Sequence, residues 1–235
     1  MTKITEAMLK AMSQIVPDRV VSGSHGQACT CSFNGIDPGT GKRFSYIEIQ
    51  GGGAGARPRK DGPDGQDLHL GRFMNTPVEA VEIEYPVMIE RYGFIPDSGG
   101  AGKYRGGLSL RRDIRFLTDV TWARYSDRQK FSPQGLFGGK EGTKGEFVLN
   151  PGMSREQKEK SKGVSELRTG DLLSIRLPGS GGYGPPSERD PELVRWDVLN
   201  GKVSLESARG DYLVALNDDL TINEKETEAL RRKHT

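Results

Sequence analysis

Cysteine is scarce in this sequence of 235 residues, and long apolar runs are missing. The two cysteines, Cys29 and Cys31, stand one residue apart, a spacing that disfavours a disulfide between them, so we expect a reduced, cytoplasmic protein. No apolar run reaches the roughly 18 residues that a transmembrane helix needs. The mixed N-terminal sequence also lacks the apolar core of a signal peptide.

An excess of charge of one sign is also lacking. The 34 basic and 32 acidic side chains give a net charge of +2 at pH 7. This balance does not support general binding to nucleic acid or to a charged membrane surface. Apolar residues make up 34% of the chain, which predicts a soluble protein with much exposed surface.

Glycine, by contrast, is abundant. The 32 glycines occur in clusters without a fixed period, which excludes a collagen-like repeat and predicts many tight turns. Two clusters bracket the central stretch 51–107, which begins GGGAGARPRKDGPDG and ends PDSGGAGKYRGG. The first cluster lacks the Gly-Lys-Ser/Thr ending of a phosphate-binding loop, and no helical pattern follows it. We therefore favour a loop that lets a ligand or a partner backbone approach closely over a nucleotide site.

Apolar periodicity predicts a helix at the start of the chain and then a series of strands. Residues 4–15 carry apolar side chains at helical spacing, so we expect a short helix that packs on the body of the protein and ends at Pro17. The segment 78–95 alternates imperfectly and is broken at Pro86, which indicates two strands or one bent strand. The other predicted strands are 28–33, 44–49, 108–116, 120–125, 146–150 and 173–177.

The character of the chain changes after Pro186. Start signals at Asp190-Pro191, Ser204 and Asn223 predict three short helices. Before this change, the charged run 154–163 is typical of an exposed loop.

The pattern as a whole predicts an α+β fold that is rich in β structure. We expect mainly antiparallel sheets, glycine-rich turns and short C-terminal helices. The chain is divided into a β-rich domain, 1–186, and a helical tail, 187–235, that packs on it.

Charged and polar side chains are densest just after the first glycine cluster. They are Arg57, Arg59, Lys60, Asp61, Asp64, Asp67, His69, Arg72 and Asn75. Such a run is usually a solvated loop, but the glycines within it fix turns that can present side chains to a site. Its three aspartates offer oxygen ligands for a hard cation, although they do not form the calcium loop of an EF-hand.

Two features before this stretch leave more than one interpretation open. His25 lies in a loop of small residues, where it is either functional or structural. Cys29 and Cys31 share one face of a predicted strand, which favours a buried apolar face over a metal site.

Four motifs follow one another from the first glycine cluster onward: GGGAGARPRKDGPDG, NTPVEAVEIEYPVMIERYGFIPDSGGAGKYRGG, SDRQKFSPQGLFGGKEG and TGDLLSIRLPGSGGYGPP. In this order they resemble the C-terminal half of the hydantoinase B family, and the likeness covers nearly the whole chain. Members look like subunits or fused halves of ATP-dependent N-methylhydantoinases, 5-oxoprolinases and lactamases, and acetone and acetophenone carboxylases are related. The resemblance implies an A-type subunit that binds ATP and phosphorylates a carbonyl oxygen. It also implies a B-type subunit that contributes to opening the activated ring.

The sequence departs from this family because it lacks a GGTHxxD-like segment and the histidines that look like metal ligands. Only three histidines are present, and none lies in such a motif. The resemblance therefore implies that this chain binds no cofactor and is inactive alone. ATP with Mg and a divalent metal, Zn or Mn, would belong to partner chains. The expected partners are an A-type ATP-binding subunit and the N-terminal half of the B-type subunit, in a hetero-oligomer.

The resemblance also suggests roles for individual positions. Most matches to the family motifs are glycines, and we expect Glu79 and Arg105 to form an internal ion pair. The predicted site residues are Asp61, His69, Asn75 and Arg128. Rigid glycine turns would present the first three toward a shared site, where they would orient an amide or a phosphorylated intermediate.

These observations favour one function and leave two alternatives. The favoured function is a subunit of an ATP-dependent hydrolase that acts on a cyclic amide or imide. The alternatives are a subunit of an ATP-dependent acetone- or acetophenone-type ketone carboxylase, and a structural subunit of either complex. No pattern in the sequence specifies the substrate.

Overall fold

A computed structural model describes residues 2–66 and 74–233. The helices are α1 (Thr2–Met12), α2 (Val78–Glu84), α3 (Pro191–Leu199), α4 (Leu205–Gly210) and α5 (Glu224–Arg232). The strands are β1 (Cys29–Ile36), β2 (Arg43–Gln50), β3 (Val87–Phe94), β4 (Leu110–Phe116), β5 (Val120–Tyr125), β6 (Glu146–Leu149), β7 (Gln157–Glu159), β8 (Lys162–Leu167) and β9 (Leu172–Arg176). The predicted α+β class is confirmed. In the described part of the chain, no helix combines the length and the apolar character that crossing a membrane requires.

The strands form two antiparallel sheets that pack on each other. Their orders are β2-β1-β5-β8 and β3-β4-β9-β6-β7. Aromatic rings from both sheets meet in the core: the rings of Phe33 and Phe116 are 5.0 Å apart, and Trp122 meets Phe147 edge-on at 5.3 Å. Cys29 and Cys31 lie fully buried on the same side of β1, as the alternation of the strand predicts.

The segment 78–95 differs from its prediction in its first half. It folds as helix α2 before the predicted break and as strand β3 after it. The alternation of Val81 and Ile83 suggested one strand face, but Val81 is fully buried while Ile83 is 86% exposed. A pattern of only seven residues fits either a helix or a strand, and here the contact of Val81 with the core decides for the helix.

The charged run 154–163 is another correction. It forms β7 and the beginning of β8 instead of an exposed loop. Each of these strands is at the edge of its sheet, where charged side chains are tolerated because one side of the strand faces solvent. Glu159 on β7 pairs with Arg124 on β5, which ties the two sheets together.

The tail forms the three predicted helices, and each begins at the predicted residue. The side chains of Asp190, Ser204 and Asn223 accept hydrogen bonds from the backbone N–H groups of the first turns. The tail packs on the body through a small apolar cluster. Its members are Ala101, Val194, Val203, Ala208, Tyr212 and Val214.

Helix α1 forms as predicted, but it packs on the body through its polar side. Glu6 accepts a hydrogen bond from the backbone N–H of Ser24 at 3.0 Å and pairs with Arg128. No residue of α1 is buried, and its largest apolar side chains point outward. The helix therefore packs on the body as expected, but not through the apolar residues whose spacing predicted it.

Candidate functional site

Four glycine-rich segments, 51–55, 98–107, 133–145 and 178–184, lie against each other and form what we call the glycine layer. Their contacts are largely between backbone groups: the N–H of Gly107 donates to the carbonyl of Ala54 at 2.9 Å, and that of Gly100 to Ser180 at 2.7 Å. A Cβ atom at Gly53 would collide with the carbonyl oxygen of Gly107. The close approach predicted for the first cluster is therefore made by the chain's own backbone.

A network of arginine and carboxylate side chains fastens the tail to this layer. Its members are Asp61, Asp64, Arg105, Arg189, Asp197 and Lys202. The two guanidinium nitrogens of Arg189 donate to the two oxygens of Asp61 at 2.7 and 2.8 Å, and one also donates to Asp197 at 2.7 Å. Arg105 donates to Asp64 at 3.0 Å. Because Arg189 and Asp197 belong to the tail, the network joins residues that are far apart in sequence.

The network is closed in charge, because its carboxylates and its cations are equal in number. Three carboxylates face three cations, and the side chains of Arg105 and Arg189 are 2% and 1% exposed. Burial raises the pKa of Asp61, but Arg189 and Arg105 outweigh burial and hold that pKa below its usual value. Both oxygens of Asp61 already accept hydrogen bonds. Asp61 is thus an ionised anchor for Arg189, which suits it poorly to proton transfer.

The predicted ion pair between Glu79 and Arg105 is wrong. The guanidinium of Arg105 donates to Asp64, Asp197 and the carbonyl of Gly106, whereas Glu79 is exposed on α2. No local signal in the chain indicates the partner Asp197, because it lies 92 residues from Arg105.

Asn75 belongs to a different set of contacts, beside β3 at the edge of the five-stranded sheet. Its side-chain amide donates to the hydroxyl of Tyr92 at 2.6 Å. The guanidinium of Arg112 lies 4.9 Å from the centre of the Tyr92 ring and pairs with Glu48 in the interior. Burial raises the pKa of Tyr92. Asn75 and Asp61 thus have separate partners, and the predicted His69 lies outside the described residues, so their convergence on one site stays a prediction.

Among the predicted site residues that the structure describes, Arg128 lines open space. It follows β5 with a positive φ of 60°, an uncommon conformation for a residue with a side chain. Two adjoining hollows of about 220 and 390 Å³ share Lys3 and Arg128 in their walls, and we call them together the Arg128 cleft. The remaining charged residues of its walls are Glu6, Lys10, Asp127, Lys130 and Lys162.

The Arg128 cleft is positively charged. Five cations and two carboxylates line it, and both carboxylates are already paired, Glu6 with Arg128 and Asp127 with Lys162 at 3.2 Å. Burial and the charge of Arg128 lower the pKa of Lys3. Such a wall favours an anionic ligand or an oxygen that carries negative charge.

The predicted site residues include Arg128 but not the residues of α1 that line the same cleft. Lys3, Glu6 and Lys10 recur at helical spacing, so one side of the helix carries all three. That signal is present in the sequence, but the apolar residues of the same helix form a second, competing stripe.

The divalent metal that the family resemblance implies finds no set of ligands in the described residues. Within residues 2–66 and 74–233, no group of three or more histidine, cysteine, aspartate or glutamate side chains is arranged to hold a metal ion. The two cysteines lie in the apolar core, where a hydrogen bond between them and burial raise the pKa of Cys29. His25 is fully buried beside Gly52. These residues do not fit the implied metal.

Comparisons with known proteins identify a family and several relatives of this chain. A family model described as hydantoinase B/oxoprolinase matches residues 1–186. An uncharacterized protein of Methanocaldococcus jannaschii is 40% identical over 97% of this chain and 40% of its own length. The B-type subunit of a putative D-/L-hydantoinase from a Pseudomonas species is 30% identical over 97% of this chain and 38% of its own length.

A solved structure shares the fold. The crystal structure of an ATP-dependent caprolactamase from Pseudomonas jessenii matches 95% of this chain and 40% of that chain, with a TM-score of 0.85 and 28% identity. The chain spans about two fifths of the length of the relatives that it matches.

Proposed function

We propose, because the chain belongs to the hydantoinase B/oxoprolinase family, that it is a subunit of an ATP-dependent enzyme that opens a cyclic amide or imide by hydrolysis. The observation that carries this proposal is the fold shared with an ATP-dependent caprolactamase over 95% of the chain. Caprolactam is a cyclic amide, and the similar hydantoinase chain is named for another ring of this kind.

The contribution proposed for this chain is the positive wall of the Arg128 cleft. Opening an amide ring places negative charge on the carbonyl oxygen, and fixed cations stabilise such charge most where water is limited. Arg128 is held from one side by Glu6, so its position is set before a ligand arrives. Lys3 lines the same cleft and adds a second positive charge.

The other predicted site residues have less support. Asp61 is occupied by Arg189, and Asn75 by Tyr92. We therefore propose that Asp61 acts by holding the tail on the glycine layer, and we keep His69 and Asn75 as predicted site residues of the complete enzyme.

The remaining chemistry is proposed to come from partner chains. An A-type subunit would bind ATP with Mg²⁺, and the N-terminal half of the B-type subunit would hold the divalent metal, Zn²⁺ or Mn²⁺. Two observations support this division: the first glycine cluster is filled by the chain's own backbone, and the described residues offer no metal-ligand group. On this proposal, the chain is active only within a hetero-oligomer in the cytoplasm.

The proposal is tested with the complex that assembles around this chain. Hydantoin, 5-oxoproline and caprolactam are supplied in turn with ATP, and ADP and the ring-opened product are both measured. We expect ADP formation to depend on one of these rings and to match ring opening. Consumption of ATP with acetone or acetophenone and bicarbonate, but with no cyclic amide, would instead support the carboxylase alternative. A stable monomer that recruits no partner would contradict the subunit role.

A further inference from the structure

Helix α1 is oriented opposite to an ordinary surface helix. A helix at the surface of a globular protein usually turns its apolar stripe toward the core and its charges toward water. In α1 the half-buried residues are Thr2, Thr5, Glu6 and Leu9, and three of these four are polar. The outer face of α1 comprises Ile4, Met8 and Met12, and these side chains are 64, 60 and 45% exposed; Ile15, in the turn that follows, is 80% exposed.

This orientation is fixed by specific contacts. The carboxylate of Glu6 pairs with Arg128 and accepts a hydrogen bond from Ser24 N at 3.0 Å. The hydroxyl of Thr2 donates to the carbonyl of Gly26 at 3.3 Å, in a partly buried hydrogen bond between the helix and the body. Turning the helix to bury Met8 would break these contacts and leave the Glu6 carboxylate without its partners. The apolar side chains are therefore left outward by the same contacts that build the Arg128 cleft.

Ile4, Met8 and Met12 are spaced four residues apart, so their side chains form a stripe along one side of the helix. Such a stripe is the kind of surface that a partner covers, and the i, i+4, i+8 spacing suits docking against a groove or another helix. The outer face also adjoins the cleft, because α1 supplies Lys3 and Glu6 to its wall.

The identity of the partner follows from length. This chain covers 40, 38 and 40% of three similar proteins, so each of those proteins carries a large further portion in the same polypeptide. We infer that the outer face of α1 is covered by the portion of a B-type subunit that lies outside the stretch this chain matches. This inference rests on the proposed function, and it means that the same contact which covers α1 also closes the Arg128 cleft from that side.

A site-specific photocross-linking experiment tests this. Benzoylphenylalanine replaces Met8 in the full chain, which is expressed in the source cells, irradiated and purified, and the cross-linked peptides are sequenced by mass spectrometry. We expect the cross-linked peptide to align with the part of the hydantoinase B family that this chain does not cover. A cross-link to a second copy of this chain, to an A-type subunit or to an unrelated protein, or no cross-link at all, would overturn the inference.

The matched control places the same photoreactive residue at Ile83, which is 86% exposed on α2. Equal cross-linking of the same partner from both positions would show that α1 is not the docking surface. In a second arm, Met8→Glu is expected to lower recovery of the partner by roughly tenfold or more, because interface anchors of this kind contribute strongly, while Ile83→Glu changes recovery little.

Failure of this inference differs from failure of the proposed function. A cross-link to a B-type portion in a complex that opens no cyclic amide would leave the docking surface standing and contradict the function. A complex that opens a cyclic amide with ATP but is not cross-linked through position 8 would support the function and contradict the docking surface.

Discussion

Two arginine–carboxylate arrangements in this protein use the same chemistry for different ends. In the network around Arg189, three carboxylates and three cations balance, and the arginines are nearly fully buried. At Arg128, one arginine pairs with Glu6 in the wall of an open cleft where cations outnumber carboxylates. The first arrangement is balanced in charge and fastens the tail, whereas the second retains positive charge for a ligand. Both arrangements use the same residue types. What distinguishes a structural ion pair from a candidate site here is whether the surrounding charges balance.

The largest expected effect comes from opening the closed network. Arg189→Met removes the partner of two carboxylates, and breaking a buried pair in this way costs about 3–5 kcal/mol of unfolding free energy. The free energy of unfolding is measured in urea. Arg209→Met, which breaks the exposed pair with Glu226, is the matched control and should change stability little. Equal losses for the two variants would remove the distinction between buried and exposed pairs.

The next effect concerns the glycine layer beneath the network. Gly53→Ala forces a Cβ atom against the carbonyl oxygen of Gly107, and overpacking of this kind costs about 1–3 kcal/mol. Gly93→Ala is the control, since a Cβ atom there has no neighbour within 4 Å. Urea unfolding of both variants checks the prediction. If Gly53→Ala is as stable as Gly93→Ala, then the tight backbone packing is not the reason for glycine at that position.

Acid should weaken the closed network in a defined pH range. The pKa values of Asp61 and Asp64 lie below their usual value because Arg189, Arg105 and Lys202 outweigh the effect of burial. A carboxylate with a lowered pKa stabilises the folded protein above the unfolded value of about 3.9, and this stabilisation is lost as the pH falls through the folded value. Asp64→Asn should therefore destabilise the protein at pH 7, and its difference from the original protein should shrink below about pH 4. A difference that stays constant from pH 7 to pH 2.5 would contradict this.

The smallest expected effect on stability is at the open arrangement. Arg128→Ala should lower the unfolding free energy by about 1 kcal/mol, because Glu6 keeps its hydrogen bond from Ser24 and can still reach water through the cleft. Arg128→Lys keeps the positive charge, so its unfolding free energy should lie between those of the original protein and Arg128→Ala. A loss as large as that of Arg189→Met would show that Arg128 is structural and would remove it from the candidate site.

The features that could be predicted from the sequence are those that neighbouring residues determine. The hairpin of β1 and β2 and the helix starts at Asp190, Ser204 and Asn223 follow from alternation and from side chains that cap a helix. The α2 segment was missed because a short alternation fits two periods. Strand β7 was missed because its charged residues are stable only beside β6.

The contacts of the candidate site could not be predicted from local sequence, because their partners are far apart along the chain. Asp61 and Arg189 are 128 residues apart, so no local pattern indicates that the carboxylate is already occupied. Arg128 pairs with Glu6 across 122 residues, and only the folded chain shows that this pair stands beside a cleft. The polarity of α1 was misjudged because helical spacing identifies an apolar side without telling which surface that side meets.

The central claim is that the positive wall at Arg128 serves ATP-dependent opening of a cyclic amide. It is tested most directly by kcat/KM for ring opening, measured on equal amounts of assembled complex containing the original chain, Arg128→Lys or Arg128→Ala. We predict a loss of roughly tenfold or more for Arg128→Ala with partial recovery in Arg128→Lys, since removing one stabilising charge group costs on this order. Full turnover by the Arg128→Ala complex would contradict the claim.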